Sequence, residues 1–563
     1  MSMHRYRRVV FFSLGVIALV ALAAFAVAQP GQRAASASPI RFSVPSGFYD
    51  EPFSLELDAD GEDIFYTLDS TDPDAHSIRY AGPITIRDAS PKENVYSAIT
   101  DVSPYMNPEL LRQNSMQVKR YYQVPDQPVD KATVVRAVSV DRFGNRSKVC
   151  EAVYFVGFGE KTGYEGMNIM SIVTDPTNLF DHGKGIYVMG DAFDSIVNSD
   201  GHVEMDVSKV FSWDANYRQS GRDWERPAEI HCFDPDGNIV FSGEYGIRIQ
   251  GRANRANLPK NLNIYARKQY GAQTMDTGNL FDTRYSLNRM TLYYGSSDLL
   301  LTDYLAEMLT DGMDITDREM APCVMFLDGE YWGVYWLTPR FKEDYLSQKY
   351  DVDPRNIVQI KHARLEIGQE EDKALYDDMV EYIADHDMSD PDNYARACEL
   401  LDIQSCIDYF ATEIYIANTD WPINNIALWR TRYKSDTDYS DCRWRWILFD
   451  LEQGMHPEWV TVNSWREAAN RDPVFASLLK NEGFTAALRE KLMALASDTF
   501  EPERVRAFVE AYKARMAGPI QKKYQRFTHE TMTLQDFYDG CDSIVGFFRQ
   551  RREYVIEKYG GID

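Results

Sequence analysis

Asp420, Asn424, Asn425, Asp450 and Glu452 are the residues whose types and spacing best suit chemistry. They lie in one stretch, IANTDWPINNIALWRTRYKSDTDYSDCRWRWILFDLE, residues 416–452. The order is one carboxylate, an amide pair, then a second carboxylate with a third two positions on. Metal-dependent phosphoryl transfer needs such groups: an acid that orients a hydroxyl, and oxygen donors that hold Mg²⁺ against phosphate oxygens. Taken singly, Asp420 reads as a turn cap and Asp450 as the end of a strand. Their grouping with the amides around one hairpin favours a site.

The local pattern must position these groups. Ile403, Cys406, Ile407, Phe410, Ile414 and Ala417 recur at spacings of three and four, one face of a helix. The Trp421-Pro422 step favours extended backbone at Trp421, which puts Asp420 in a loop. Residues 425–433 and 442–449 are rich in aromatic and β-branched types and read as strands, with polar 434–441 as their turn.

Upstream, Pro235-Asp236-Gly237-Asn238 and Asp328-Gly329 mark two hairpins. Residues 246–251 read as a strand ending in glycine, followed by a basic loop with Arg252, Arg255 and Lys260 as candidate phosphate contacts. The Gly-x4-Gly-Lys-Ser/Thr pattern of a P-loop is absent. Residues 357–360 form an apolar strand that runs into Lys361, either a phosphate-binding amine or a surface one. Glu307 and Glu366 are alternative carboxylate partners for such a lysine. Residues 474–479, 484–496, 502–516 and 533–559 have helical periodicity; the last carries Arg549, Arg551 and Arg552, which read as a solvated or ion-paired face.

Residues from about 169 to 559 resemble the CotH family of bacterial spore-coat and secreted proteins, which are atypical protein kinases. The resemblance rests on YGIRIQGRANRANLPKNLNIYARKQYG, FLDGEYWGVYWLTPRF, NIVQIKH, NTDWPINN and WILFDLEQGM. It implies ATP and Mg²⁺ (or Mn²⁺) as cofactors and Ser/Thr of a protein as substrate. Asp420 would be the catalytic acid, and Asn425, Asp450 and Glu452 the metal ligands. Arg252, Lys260, Lys361 and Asn424 would contact the nucleotide. The chain departs from the family pattern at Pro339, where an acid is common, and at Glu452, where a second Asp is usual.

The 563 residues carry a formal charge of −26, which argues against nucleic acid as a partner. Arg5, Arg7 and Arg8 precede the apolar stretch 9–27, so residues 1–28 read as a cleaved signal peptide or a retained membrane anchor, followed by a linker at 29–39. Either places the chain outside the cytoplasmic membrane, secreted or at the cell surface. Seven dispersed cysteines give no disulfide framework.

Residues 40–157 read as a β-sandwich, with 42–57, 63–68, 84–86, 133–140 and 150–156 as strands and a polar insertion at 88–131. SGFYDEPFSLELDADGEDIFYTLDSTDPD and YAGPITI resemble the immunoglobulin-like C-terminal domain of chitobiase and β-hexosaminidase, an accessory module that could contact glycan or cell wall. The expected architecture is therefore multidomain: an all-β sandwich, then an α+β kinase-like domain at 165–560 with a helical C-terminal lobe. A cell-surface scaffold with an inactive kinase fold is the alternative. A glycoside hydrolase, which needs two carboxylates facing across a sugar cleft, fits the intervening amides less well.

Overall fold

The computed structural model describes residues 37–107, 122–200, 203, 213–295, 298–528 and 532–561. The expected signal or anchor segment, most of the linker and part of the polar insertion lie outside these residues.

The N-terminal region is β-rich. Its five-stranded sheet has the order Gly47–Tyr49, Cys150–Val156, Thr133–Val140, Asp63–Thr67, Ile78–Arg79. Two small ladders accompany it, Arg41–Phe42 with Leu57–Asp58 and Phe53–Leu55 with Ile84–Ile86. The run expected as one strand over 42–57 is thus four short ones. Pro45 and Pro52 interrupt it, since proline offers no N–H to a ladder. Strand alternation divides the sheet's two faces. Val135, Ala137, Ala152 and Tyr154 enter a small core with Leu55, Leu57 and Ile86. Val134, Val153 and Phe155 enter the main core of the remaining chain. There the Phe155 ring meets Phe326 edge-on at 5.0 Å and Phe233 at 5.8 Å, so the β unit is seated on the next region through aromatic packing.

That region is a closed seven-stranded barrel. Its strands are β1 (Asn168–Val173), β2 (Arg226–Phe233), β3 (Ile239–Ile249), β4 (Leu262–Tyr265), β5 (Arg289–Tyr293), β6 (Ala321–Leu327) and β7 (Glu330–Pro339), in the order β1-β2-β3-β4-β5-β7-β6. The parallel β1–β6 pairing closes it, which removes free edges. Both expected hairpins are present. Asp328 and Gly329 turn β6 into β7 with φ of 48° and 85°, as a two-residue hairpin turn requires. The strand expected over 246–251 begins earlier, at Ile239, and ends at Ile249 as β3.

A four-stranded antiparallel sheet follows, with β8 (Ile357–Lys361), β9 (Arg364–Ile367), β10 (Ala427–Thr431) and β11 (Arg445–Trp446) in the order β9-β8-β10-β11. The two strands expected over 425–433 and 442–449 are shorter, Ala427–Thr431 and Arg445–Trp446. Helix α1 (Thr302–Leu309) precedes β6, and α2 (Ile403–Ile416) precedes β10. Helices α3 (Pro502–Phe527) and α4 (Leu534–Tyr559) pack on each other, and α3 lies along β7. The helix expected over 502–516 continues to Phe527 through Pro519.

Candidate active site

Helix α2 delivers the loop that carries Asp420. Asp402 caps its start, accepting from Ser405 N at 3.2 Å, and also pairs with Arg445 of β11 at 2.9 Å. Ala417 ends the helix in the left-handed conformation, φ 55°. Arg551 of α4 holds this end. It is fully buried and donates to the carbonyls of Ile414 (2.6 Å), Tyr415 (2.9 Å), Val462 (2.9 Å) and Val460. A cation on the last carbonyls of a helix satisfies groups that have no partner within it and complements the helix dipole. The expectation of a solvated or ion-paired arginine is therefore corrected at Arg551. Its periodic position gave its element, and burial against carbonyls has no sequence signature.

Asp420 sits between the two amides. Asn424 Nδ2 donates to its Oδ1 at 2.8 Å, and Asn425 Nδ2 donates to its Oδ2 at 3.0 Å. The same Asn425 nitrogen reaches the Asp450 carbonyl at 3.2 Å. One amide thus ties the loop acid to the acid beyond β11. With its NH₂ group so engaged, Asn425 presents Oδ1 as an acceptor. Asn425 and Asp450 both adopt positive φ, 58° and 62°.

The Asp450 carboxylate makes no hydrogen bond or ion pair with the described residues. It is open to the cleft but has protein on its other sides. That burial, followed by the neighbouring Asp303 charge, pushes its pKa up to about 6 against the pull of Lys361 and Arg318. Glu452 accepts from the Tyr293 hydroxyl at 3.0 Å. Gly295 makes room for it: a Cβ there would lie 2.1 Å from Glu452 Oε1. Beneath both acids, buried Asp303 accepts from Leu451 N at 2.6 Å, lies 2.7 Å from the Tyr293 hydroxyl and pairs with Arg318 at 3.2 Å. Asp303 was not anticipated; it lies in the first turn of α1, four residues before the Glu307 that the sequence singled out.

These groups line a cleft of about 740 Å³. Its wall includes Asp420, Asn424, Asn425, Asp450 and Glu452, with the cations Arg252, Arg340 and Lys361. An adjoining cavity of about 140 Å³ shares Arg340, Lys361 and Asp450. Lys361 ends β8 with its amine 4.2 Å from the Phe449 ring centre, and burial pushes its pKa down to about 8. No carboxylate among the described residues pairs with it. Glu307 is taken by Arg318 (2.9 Å), and Glu366, on strand β9 and not a helix, is taken by Lys342. Arg340 follows β7 directly, and its guanidinium has no polar partner among the described residues. In the sequence Arg340 carries no signal beyond its place in the stretch FLDGEYWGVYWLTPRF.

Lys260 does not line the cleft. Its buried amine donates to the carbonyls of Arg255 (2.5 Å) and Asn257 (3.4 Å) and lies 3.8 Å from the Tyr217 ring centre. Burial pushes its pKa well below the ordinary lysine value. The structure thus removes Lys260 from the phosphate contacts and makes it a brace of the basic loop. Arg255 is a brace too, donating to the carbonyls of Gly251, Tyr217, Arg218 and Gln219. Arg252 alone of the three expected cations stays exposed at the cleft mouth.

A family profile described as CotH kinase protein matches residues 247–555, more than half of the chain. The chain belongs to the CotH kinase family. The match spans every acid, amide and cation just placed in the cleft. In this CotH family member, strands β1 and β2, which complete the barrel, lie upstream of the matched span. Residues 53–154 match the profile described as Fn3 associated, a more general assignment than the chitobiase-type domain expected. No curated protein matches the chain.

Proposed function

We propose that this CotH family member transfers the γ-phosphoryl group of ATP to a Ser or Thr hydroxyl of a protein outside the cytoplasmic membrane. One observation carries the reading. A single amide nitrogen, Asn425 Nδ2, joins Asp420 to the backbone of Asp450 on the floor of a cleft whose wall carries Arg248, Arg252, Arg255, Arg340 and Lys361.

The donor set fits a hard divalent cation. Asp450 offers an unpartnered carboxylate, Asn425 an amide oxygen and Glu452 a carboxylate, all oxygen ligands suited to Mg²⁺ or Mn²⁺. Such an ion, when bound, neutralises phosphate charge. Asp420, fixed by two amide donors, orients the acceptor hydroxyl and takes its proton as the bond to phosphorus forms. Lys361, Arg340 and Arg252 offset the charge of the phosphate oxygens. Catalysis of this kind is positioning and charge stabilisation, with no covalent intermediate on the protein. Asn424 acts through Asp420, a positioning role in place of the nucleotide contact first expected. The N-terminal β unit serves as an accessory module of the chitobiase C-terminal type beside the kinase region, a surface for cell-wall or glycan contact. The N-terminal segment provides export or anchoring.

Nucleotide binding tests the assignment. Asp450→Ala removes metal-dependent ATP binding, whereas Asp420→Ala keeps binding and loses transfer. Equal transfer by both variants and the wild type would remove these residues from the reaction.

A further inference from the structure

A second cavity, of about 320 Å³, lies where the segment before the barrel meets the end of α3. It shares no lining residue with the catalytic cleft. Its wall is pinned on three sides. Gln123 N donates to the Phe527 carbonyl at 2.9 Å, Val129 N to Asn94 Oδ1 at 2.9 Å, and Tyr331 N to the Asp130 carbonyl at 2.9 Å.

Arg526 lines this cavity and is 4% exposed. Its Nε and Nη1 are sealed in protein without a hydrogen-bond partner. Its Nη2, also without a polar partner among the described residues, is left as the nitrogen with access to the cavity. The guanidinium lies 4.9 Å from the Trp332 ring centre and 4.5 Å from that of Phe527. Ring faces lower the cost of burying a cation without supplying an acceptor. Burial pulls its pKa to about 10, so it stays charged at neutral pH. Glu330, the carboxylate whose charge acts on it, already accepts from Val95 N and Ser97 N at 2.7 Å each. Tyr331, 3% exposed, also lines the cavity and has a hydroxyl without a partner. A buried charged donor without an acceptor is costly, and ligand sites are where such groups find one.

The charge of the wall narrows the ligand. Asp130 is offset by Lys522, with which it pairs, and by Lys161 at 3.4 Å. Asp126 also lines the wall. A single negative charge answers the single guanidinium without an acceptor. Pro125, Pro128 and Val129 supply an apolar side. We infer that this cavity is a binding site for a monoanionic carboxylate with a small apolar body, held by Arg526 with Tyr331 beside it. Such a group is offered by a free short-chain acid or by a Glu side chain in a peptide. The inference does not depend on the kinase reading.

Calorimetric titration of the full chain tests it, with propionate, the blocked peptide acetyl-Gly-Glu-Gly-amide and inorganic phosphate as probes. Propionate or the peptide should bind saturably and more tightly than phosphate; the tighter of the two identifies the source. Arg526→Gln should weaken that binding about tenfold or more, the loss expected for a hydrogen bond to a charged group. Asp450→Ala should leave it unchanged. No saturable binding of either carboxylate by about 10 mM, the weak end of specific recognition, would overturn the assignment. Equal affinity in Arg526→Gln, or preference for phosphate, would overturn it as well. Should Arg526→Gln fail to fold, Arg526→Lys, which keeps the charge and removes the guanidinium, should weaken carboxylate binding, and no change would count against the site.

Discussion

Asp450 should make the apoprotein and the metal-bound protein respond to pH in opposite directions. Its pKa rises from the usual 3.8 to about 6 because burial and Asp303 disfavour the charged form. The folded protein therefore holds this proton more tightly than the unfolded chain. The stabilising contribution is full below about pH 4 and is lost as pH rises through about 6. A shift of that size corresponds to about 3 kcal/mol for an enclosed group. Asp450 opens onto the cleft, and water there screens it, so about 1 kcal/mol is expected. Asp450→Asn should then stabilise the apoprotein by about 1 kcal/mol at pH 8 in denaturant unfolding. A bound cation needs the ionised form, so Mn²⁺ affinity should fall about tenfold from pH 8 to pH 5. Titrating the nucleotide-free protein with Mn²⁺ by paramagnetic resonance keeps the titration of ATP itself out of the result. Asp303→Asn should move the midpoint to lower pH, because an asparagine retains an acceptor for Leu451 N but carries no charge. Mn²⁺ affinity that is flat between pH 5 and pH 8, or a midpoint unmoved in Asp303→Asn, would refute the reasoning.

Three other outcomes follow from the same geometry. Arg551→Met should destabilise the fold by about 3–5 kcal/mol in denaturant unfolding, since it strands the carbonyls of Ile414 and Tyr415 at the end of α2 and those of Val460 and Val462. Gly295→Ala should displace the Glu452 carboxylate and weaken Mn²⁺ binding. Its stability cost should be only about 1–2 kcal/mol, that of a Cβ at positive φ, because the atom it meets ends a flexible side chain. In ATP titrations, Lys260→Met should leave affinity within about twofold, whereas Arg340→Gln and Lys361→Ala should each weaken it about tenfold, as loss of a charge-assisted phosphate contact does.

The elements around the site were legible because their signals are local. Helical spacing from Ile403 to Ala417 marked α2, Asp328-Gly329 marked a hairpin, and short runs between turns marked strands of the N-terminal sheet such as 133–140 and 150–156. The acids and amides of 420–452 could be grouped because one hairpin carries them. What escaped was set by tertiary contacts. Lys260 and Arg551 look like surface cations in sequence, yet Lys260 is buried against the Tyr187 and Tyr217 rings of a distant segment and Arg551 against main-chain carbonyls supplied by other segments. Asp303 lies about 150 residues from the turn it supports, and Arg340 faces the cleft only because β7 ends there. Barrel closure rests on the parallel pairing of β1 with β6, a long-range contact with no local pattern.

The central claim is a metal-dependent transfer of phosphate. Its most direct test incubates the protein with γ-labelled ATP, with and without Mg²⁺ or Mn²⁺, beside Asp420→Ala and Asp450→Ala. The account predicts label on protein Ser or Thr only when the metal is present, lost in both variants while Asp420→Ala still binds nucleotide. Absence of ATP binding with either metal, or label transfer that survives in both variants, would contradict it.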